Sequence, residues 1–131
     1  MKKRVVLVSL ISIFFLITLT SFAFGANSQD STDFYEYATV DTAPGANGYG
    51  TNAVNIRSTH EKHAWFSIRG TGVMTVTLQF KCSGDTDWTD YMDYSSTERK
   101  LIEGGGAGVK WRAIVKNAEY TSGSKTFGFD W

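Results

Sequence analysis

The chain has 131 residues, and its 13 Lys and Arg balance 13 Asp and Glu, so that the formal net charge is zero. This composition lacks the excess of basic residues by which proteins bind nucleic acid or anionic membranes, and nucleic acid is not an expected partner. Cys82 is the only cysteine, which excludes an intrachain disulfide. The length suits one small domain with a single hydrophobic core.

Residues 1–26 have the organisation of a secretory signal peptide. A basic stretch, Lys2–Arg4, precedes an apolar run, Val5–Leu19, and small residues follow at cleavage spacing. An uncleaved membrane anchor is the alternative, because Val5–Ala26 is just long enough to span a bilayer. We expect cleavage and a secreted, periplasmic or cell-surface protein without membrane contact, since no basic stop-transfer cluster follows. About 105 residues then remain, with 10 Lys and Arg, 13 Asp and Glu and a net charge of −3.

The rest of the chain alternates between strand-like segments and turn residues. Residues 27–33 are polar and predict a flexible segment. Two further segments are predicted as loops from their composition: Asp41–Asn52 contains three glycines and the only proline, and Gly104–Gly108 contains four glycines. Strands are predicted at Phe34–Val40, Val54–Arg57, His63–Arg69, Val73–Cys82, Asp87–Tyr94, Thr97–Glu103, Val109–Lys116 and Lys125–Trp131.

The clearest of these segments is Val73–Cys82, in which apolar and polar residues alternate. This period predicts one buried and one wet face. The buried set is Met74, Val76, Leu78, Phe80 and Cys82, and the wet set is Thr75, Thr77, Gln79 and Lys81. Because Cys82 shares the buried phase, we expect a buried thiol, with an intermolecular disulfide as the alternative.

The strand Val109–Lys116 alternates almost as regularly. Its phase predicts that Trp111 lies in the core and that Arg112 lies on the opposite, wetter face. Seven to eight short strands at roughly ten-residue spacing are typical of two packed antiparallel sheets. We therefore expect an all-β fold, a single β-sandwich over residues 34–131 that is immunoglobulin-like or jelly-roll-like.

The segment Asp85–Tyr94 combines four carboxylates with three aromatic rings. Asp85 and Asp87 could supply two oxygens to a calcium ion, whereas Asp90 and Asp93 are expected on opposite faces of a strand and cannot join them. Calcium binding and solvated surface acids both remain open. The candidate residues for contact with a ligand or partner are Asp85, Asp87, Trp88 and Tyr91.

Catalytic motifs are not apparent in the sequence. His60-Glu61-Lys62-His63 lacks the His-Glu-x-x-His spacing of a catalytic zinc site, and Gly104–Gly108 leads into Val109-Lys110 instead of the Gly-Lys-Ser/Thr of a phosphate loop. We therefore expect neither a cofactor, a metal nor an enzymatic activity.

Two segments are similar to sequences of small bacteriophage structural proteins. One combines Gly72, the run Met74–Gln79, the Gly84 turn and Trp88-Thr89-Asp90; the other combines Trp111–Val115 with Tyr120–Gly123. Over Ala64–Trp131 the chain thus resembles a virion or decoration β-sandwich. The resemblance implies a non-enzymatic domain that decorates or assembles, and the signal peptide favours an exported cellular relative of such domains.

Two functions are consistent with these patterns. The first is an exported, non-catalytic β-sandwich that acts by protein–protein contact in a surface assembly or homo-oligomer. Sheet edges, the uncapped C-terminal strand among them, are natural points for strand addition. The alternative is a carbohydrate-binding module, in which Trp88 would stack on a sugar ring beside the acid-rich turn.

Overall fold

A computed structural model describes residues 35–56, 63–103, 105–106 and 108–131. The predicted signal peptide (1–26), the polar segment 27–33, Phe34, Arg57 and His60–Lys62 lie outside these residues. Within the described ranges no helix has the length and apolar character needed to cross a bilayer.

The described residues form strands and one turn of 3₁₀ helix, Asn117–Glu119. Most strands occupy the alternating segments of the sequence. Their bounds are β1 Tyr35–Val40, β2 Tyr49–Gly50, β3 His63–Gly70, β4 Val73–Met74, β5 Val76–Lys81, β6 Thr89–Tyr94, β7 Glu98–Glu103, β8 Lys110–Val115, β9 Tyr120–Ser122 and β10 Lys125–Asp130.

The strands pair in two antiparallel four-stranded sheets and one small ribbon. Sheet I has the order β1-β10-β3-β7, sheet II the order β2-β8-β5-β6, and β4 pairs with β9. The pairs β1–β10, β2–β8, β3–β7 and β5–β6 are nested along the chain, which is the topology of a jelly roll. The predicted β-sandwich is confirmed, and of the two predicted variants the strand order is that of the jelly roll.

The C-terminal strand lies in the middle of sheet I, hydrogen-bonded to β1 on one side and β3 on the other. The expectation that it offers a free edge is therefore wrong. In a jelly roll the last strand pairs with the first, and β3 occupies its other side. The edges of the two sheets are instead β1 and β7, and β2 and β6.

The core lies between the inner faces of the two sheets. Phe66 of β3 contacts Phe129 of β10, with ring centroids 5.4 Å apart, and reaches across to Tyr94 of sheet II at the same distance. Each large apolar side chain contributes on the order of 1.5–3 kcal/mol when it is buried. Fully buried members from both sheets are Phe66, Ile68, Phe127, Phe129, Val76, Leu78 and Val115.

Four segments differ from the predicted strand pattern. Val73–Cys82 is interrupted at Thr75, because β4 turns aside to pair with β9 while β5 pairs with β6 and β8. Val54–Arg57 forms only an isolated bridge between Val54 and Trp111 within its described part. The short strands β2 and β9 have sequences typical of turns, and their partners on β8 and β4 hold them extended.

Cys82 is exposed, and the prediction of a buried thiol is wrong. β5 ends at Lys81, so the alternation that placed Cys82 inward stops one residue earlier. Cys82 instead opens a turn, in which its N–H donates to Asp85 Oδ2 at 3.0 Å and its carbonyl accepts from the Asp85 N–H at 3.1 Å. Gly84 has a φ of 94° in this turn, as its position between two strands predicts.

Four polar side chains on the outer face of sheet II are connected by a continuous chain of hydrogen bonds. Arg112 Nε donates to Gln79 Oε1 at 2.8 Å, Gln79 Nε2 donates to Asp90 Oδ1 at 2.6 Å, and Lys116 Nζ donates to Asp90 Oδ2 at 2.6 Å. Gln79 and Thr77 belong to the predicted wet face, yet the two residues are only 5% and 0% exposed. The hydrogen bonds from Lys116 and Gln79 lower the pKa of Asp90, and burial lowers that of Arg112.

A β-bulge changes the facing of the β6 acids. The register of β5 and β6 shifts between Leu78 and Gln79, so that Asp90 lies opposite Gln79 and Asp93 opposite Thr77. Asp93 Oδ1 accepts a 2.7 Å hydrogen bond from the Thr77 hydroxyl. Asp90 and Asp93 therefore share the outer face, and their prediction on opposite faces is wrong because an unbulged strand was assumed.

Lys125 is an ionisable residue on the inner side of β10, only 2% exposed. Its Nζ donates to the carbonyl of Met74 at 3.2 Å and to that of Ser95. Burial lowers the pKa of this amine. The side chain thereby ties β4 and the turn after β6 to the central strand of sheet I.

Trp111 and Arg112 test the facing of β8. Trp111 is 7% exposed, the centroid of its ring lies 5.7 Å from that of Phe80, and the predicted core position is confirmed.

Trp111→Ala is expected to cost about 3–5 kcal/mol of unfolding free energy, because it leaves a cavity in the core. Arg112→Ala is expected to cost about 1–3 kcal/mol, because buried Gln79 loses its donor. Urea unfolding of both variants measures these costs, and a larger loss for Arg112→Ala would contradict the assignment.

Candidate functional site

The predicted contact residues do not form one site. Asp85 and Trp88 line a hollow of about 290 Å³ at the turn between β5 and β6, together with Lys81 and Cys82. Asp87 and Tyr91 lie outside this hollow. The hairpin therefore brings together two of the four predicted residues.

The two aromatic candidates serve opposite sides of sheet II. The Arg112 guanidinium carbon lies 4.3 Å from the centroid of the Trp88 ring, which therefore covers the polar network on the outer face. Tyr91 instead meets Trp111 edge-on, with centroids 5.2 Å apart, at the margin of the core. Each ring is therefore engaged with the protein itself.

The carboxylates proposed for calcium have structural partners. Asp85 Oδ2 accepts the Cys82 N–H, and Asp87 Oδ2 accepts the Thr86 hydroxyl at 3.1 Å. Across the part of the chain that the structure describes, no group of three or more His, Cys, Asp or Glu side chains converges in a way that could hold a metal ion.

A second concave surface lies on the outer face of sheet I. We call it the outer-face groove; it measures about 690 Å³. Strand register places directly paired residues on the same face, and five of the lining residues, Tyr35, Tyr37, Ser67, Arg99 and Asp130, belong to two adjacent rows of this face. The first row is Tyr35, Asp130, Trp65 and Leu101, and the second is Tyr37, Gly128, Ser67 and Arg99.

Gly128, opposite Tyr37 on β10, makes room for the Tyr37 ring. A Cβ built there would lie 2.8 Å from Tyr37 Cδ1 and 2.0 Å from the Glu36 carbonyl oxygen. The missing side chain therefore lets the Tyr37 ring lie across β10. A larger residue at this position would push Tyr37 off the sheet.

Hydrogen bonds hold Tyr37 in this orientation. Its hydroxyl donates to Asp130 Oδ1 at 2.7 Å and lies 3.2 Å from Ser67 Oγ. Since the single phenolic proton goes to Asp130, the Ser67 hydroxyl is the donor to Tyr37. Burial raises the pKa of Tyr37, and the hydrogen bond to Asp130 raises it further. The phenol therefore remains protonated and keeps Asp130 in place.

Tyr35 extends the aromatic surface beside Tyr37. The two ring centroids are 6.4 Å apart and the planes differ by 33°, so the rings face nearly the same direction. Tyr35 is 62% exposed. Two arginines flank this surface: the Arg69 guanidinium lies 5.3 Å from the Tyr37 ring and that of Arg99 lies 4.5 Å from the Trp65 ring. The groove thus combines one open aromatic side chain, Tyr35, with hydrogen-bonding groups and with rings over which guanidinium groups lie.

Comparisons with protein-family models, with curated proteins and with solved structures gave no match. The chemistry of this chain therefore has to be argued from its own geometry.

The sequence contains one signal that points to the outer-face groove. In β1 the alternation puts Tyr35 and Tyr37 on one face and Glu36 and Ala38 on the other. Hydrophobicity favours burying the tyrosines, yet Ala38 and Val40 are the residues in the core. An aromatic pair on the face opposite a strand's smaller apolar residues is the pattern that could have marked the site.

Gly128→Ala tests the close packing of β1 and the Tyr37 ring against Gly128. The added Cβ collides with the backbone of β1 and with the Tyr37 ring, so we expect a loss of about 1–3 kcal/mol or more in unfolding free energy. Gly106→Ala is the matched control, because a Cβ there meets no atom within 4 Å. Thermal and urea unfolding measure the difference, and equal stabilities would contradict the described register.

Proposed function

We propose that this protein is an exported, non-catalytic β-sandwich that binds a saccharide in the outer-face groove. The observation that carries the proposal is the exposed Tyr35 ring beside Tyr37, with 6.4 Å between the ring centroids and 33° between the ring planes, next to hydrogen-bonding groups on one sheet face. It differs from the sequence-based candidate at Trp88, whose ring packs against Arg112.

The chemistry of saccharides matches this surface. A pyranose ring has C–H groups that pack on an aromatic face and hydroxyl groups around its rim that need donors and acceptors. Ligand sites generally combine such apolar walls with a few fixed polar groups. In the groove, Asp130 and Ser67 are held by Tyr37, and Arg99 lies over Trp65. These groups are therefore positioned before a ligand arrives, which lowers the entropic cost of binding.

Tyr35→Ala tests the groove as the binding surface. We expect it to abolish retention on insoluble polysaccharides and binding in a glycan array, because it removes the exposed half of the aromatic pair. Tyr91→Ala is the matched control, since Tyr91 is also a half-exposed tyrosine, 53% exposed, on the other sheet. Circular dichroism verifies that both variants fold. Loss of binding in Tyr91→Ala alone would overturn the proposal and favour the β6 side of the molecule.

Protein–protein contact is a second candidate, favoured by the edge strand β6. Tyr91 and Met92 are 53% and 43% exposed on this strand, which has no neighbour on its outer side in sheet II. An edge with exposed apolar side chains is a natural surface for strand addition by a second copy, although the β6 bulge limits the length that could pair. We propose self-association along β6 as the form that such contact would take.

Met92→Lys tests this second candidate. If two copies pair along β6, a lysine there places a charge in the contact and shifts the equilibrium toward monomer, as measured by size-exclusion chromatography with light scattering. Leu101→Lys is the matched control, because Leu101 is 44% exposed on the edge strand β7 of the other sheet. A parent protein that is monomeric at every concentration would exclude self-association.

A further inference from the structure

The charged groups of the outer-face groove go beyond what a neutral sugar requires. Resting on the proposed function, we infer that the groove selects saccharides that carry carboxylate groups, with Arg69 and Arg99 as the residues that recognise the carboxylates. This names a ligand class, uronic-acid-containing glycans, for the site described above.

Arg99 is placed to reach a ligand on the groove. Its side chain is 62% exposed, and its guanidinium lies over the Trp65 ring at 4.5 Å. A guanidinium that rests on an aromatic ring retains its N–H groups for bidentate binding of a carboxylate. Its nearest recorded charge partner, Asp130, has Oδ2 3.8 Å from an Arg99 nitrogen, which is beyond hydrogen-bond distance. The Trp65 ring therefore holds the Arg99 guanidinium in position, and its N–H groups can still donate hydrogen bonds to a ligand.

Arg69 approaches the same aromatic surface from the end of β3. It is exposed, and its guanidinium carbon lies 5.3 Å from the centroid of Tyr37. Among the described residues, the ion pairs of the groove involve Arg99 and do not involve Arg69. A sugar packed on Tyr35 would thus meet Arg69 over the neighbouring Tyr37 ring.

The two acidic groups that line the groove already have contacts within the protein. Asp130 accepts the Tyr37 hydroxyl through Oδ1 and faces Arg99 through Oδ2. Glu98 is half-buried, and its charge acts on Tyr94 on the core side, where burial and then Glu98 raise the pKa of that phenol. The two carboxylates therefore leave guanidinium donors available on the open side of the groove.

Arg112 on sheet II is an arginine whose guanidinium is engaged in contacts within the protein. Its Nε donates to Gln79, its guanidinium packs on Trp88, and it is half-buried. Arg69 and Arg99 have the ring contact without the buried hydrogen bond. This contrast within one chain supports a binding role for the pair on sheet I.

Carboxylated sugars fit these groups better than other anions. A uronic acid presents an apolar ring face and, on the same ring, a planar carboxylate that matches the guanidinium fork. The net charge of −3 expected after signal cleavage opposes general attraction of polyanions, so recognition has to come from local geometry. A free phosphate or sulfate would engage the arginines but would not use the tyrosine pair.

The test compares two polymers that have the same sugar backbone and differ in charge, with a third polymer as a control for general anion binding. Isothermal titration calorimetry compares polygalacturonate with its fully methyl-esterified form, and dextran sulfate serves as the polyanion control. We expect Arg69→Gln and Arg99→Gln each to weaken binding of polygalacturonate by about ten- to hundredfold, as for the loss of a hydrogen bond to a charged group. Binding of the esterified polymer should weaken clearly less than that of polygalacturonate in both variants, because only the contact with the carboxylate is missing there. Lys81→Gln, on sheet II, is the charge-matched control.

Each result bears on one claim. Selective loss of polygalacturonate binding in the two arginine variants supports the inference. Equal affinity of the parent protein for both polymers, or an equal loss in Lys81→Gln, overturns it. Tighter binding of dextran sulfate that Tyr35→Ala does not affect overturns it too, since the arginines would then act as a general anion site. Retained binding of a neutral saccharide that is lost in Tyr35→Ala would leave the proposed function standing alone.

Discussion

The position of β10 at the centre of sheet I is the constraint on which both the core and the outer-face groove depend. Three consecutive residues of this strand, Phe127, Gly128 and Phe129, alternate between the two faces. The phenylalanines are fully buried, and Phe129 packs on Phe66. The glycine between them leaves a gap on the outer face that the Tyr37 ring fills. One pleated segment thereby anchors the sandwich and opens the surface proposed to bind ligand.

The two outer faces of the sandwich differ in how their polar groups are used. On sheet II, Arg112, Gln79, Asp90 and Lys116 form a continuous set of hydrogen bonds, and Trp88 covers Arg112. A face whose donors and acceptors are already paired gains little by exchanging them for a ligand. On sheet I, Tyr35 and Arg99 remain exposed, while Tyr37 and Asp130 are fixed by their mutual hydrogen bond. This difference, more than the concavity itself, favours sheet I as the binding face.

The candidate site could be predicted from the sequence only in part. The aromatic and acidic character of Asp85–Tyr94 was visible, but the bulge in β6 turns Tyr91 toward Trp111 and leaves Trp88 with Arg112. The outer-face groove combines residues from four strands that are far apart along the chain. Tyr37 and Ser67 contact each other across Gly128, because β10 lies between β1 and β3 in the sheet. No local sequence pattern encodes this strand order.

The elements that depend on local alternation and turn residues could be read from the sequence alone. The strands β1, β3, β5, β6, β7, β8 and β10 coincide with predicted segments, with β3 one residue longer than its segment, and Trp111, Val76 and Leu78 are in the core as their phase requires. Period-two alternation carries this information because successive side chains point to opposite faces. Only the tertiary structure decided where a strand stops, which strands become neighbours and which outer face is closed. Cys82 is exposed because β5 ends one residue before it, and Thr77 is buried because Asp93 and Glu119 fold over a face that alternation marks as wet. Pairing partners and covering groups come from distant parts of the chain, and the strand's own sequence does not contain them.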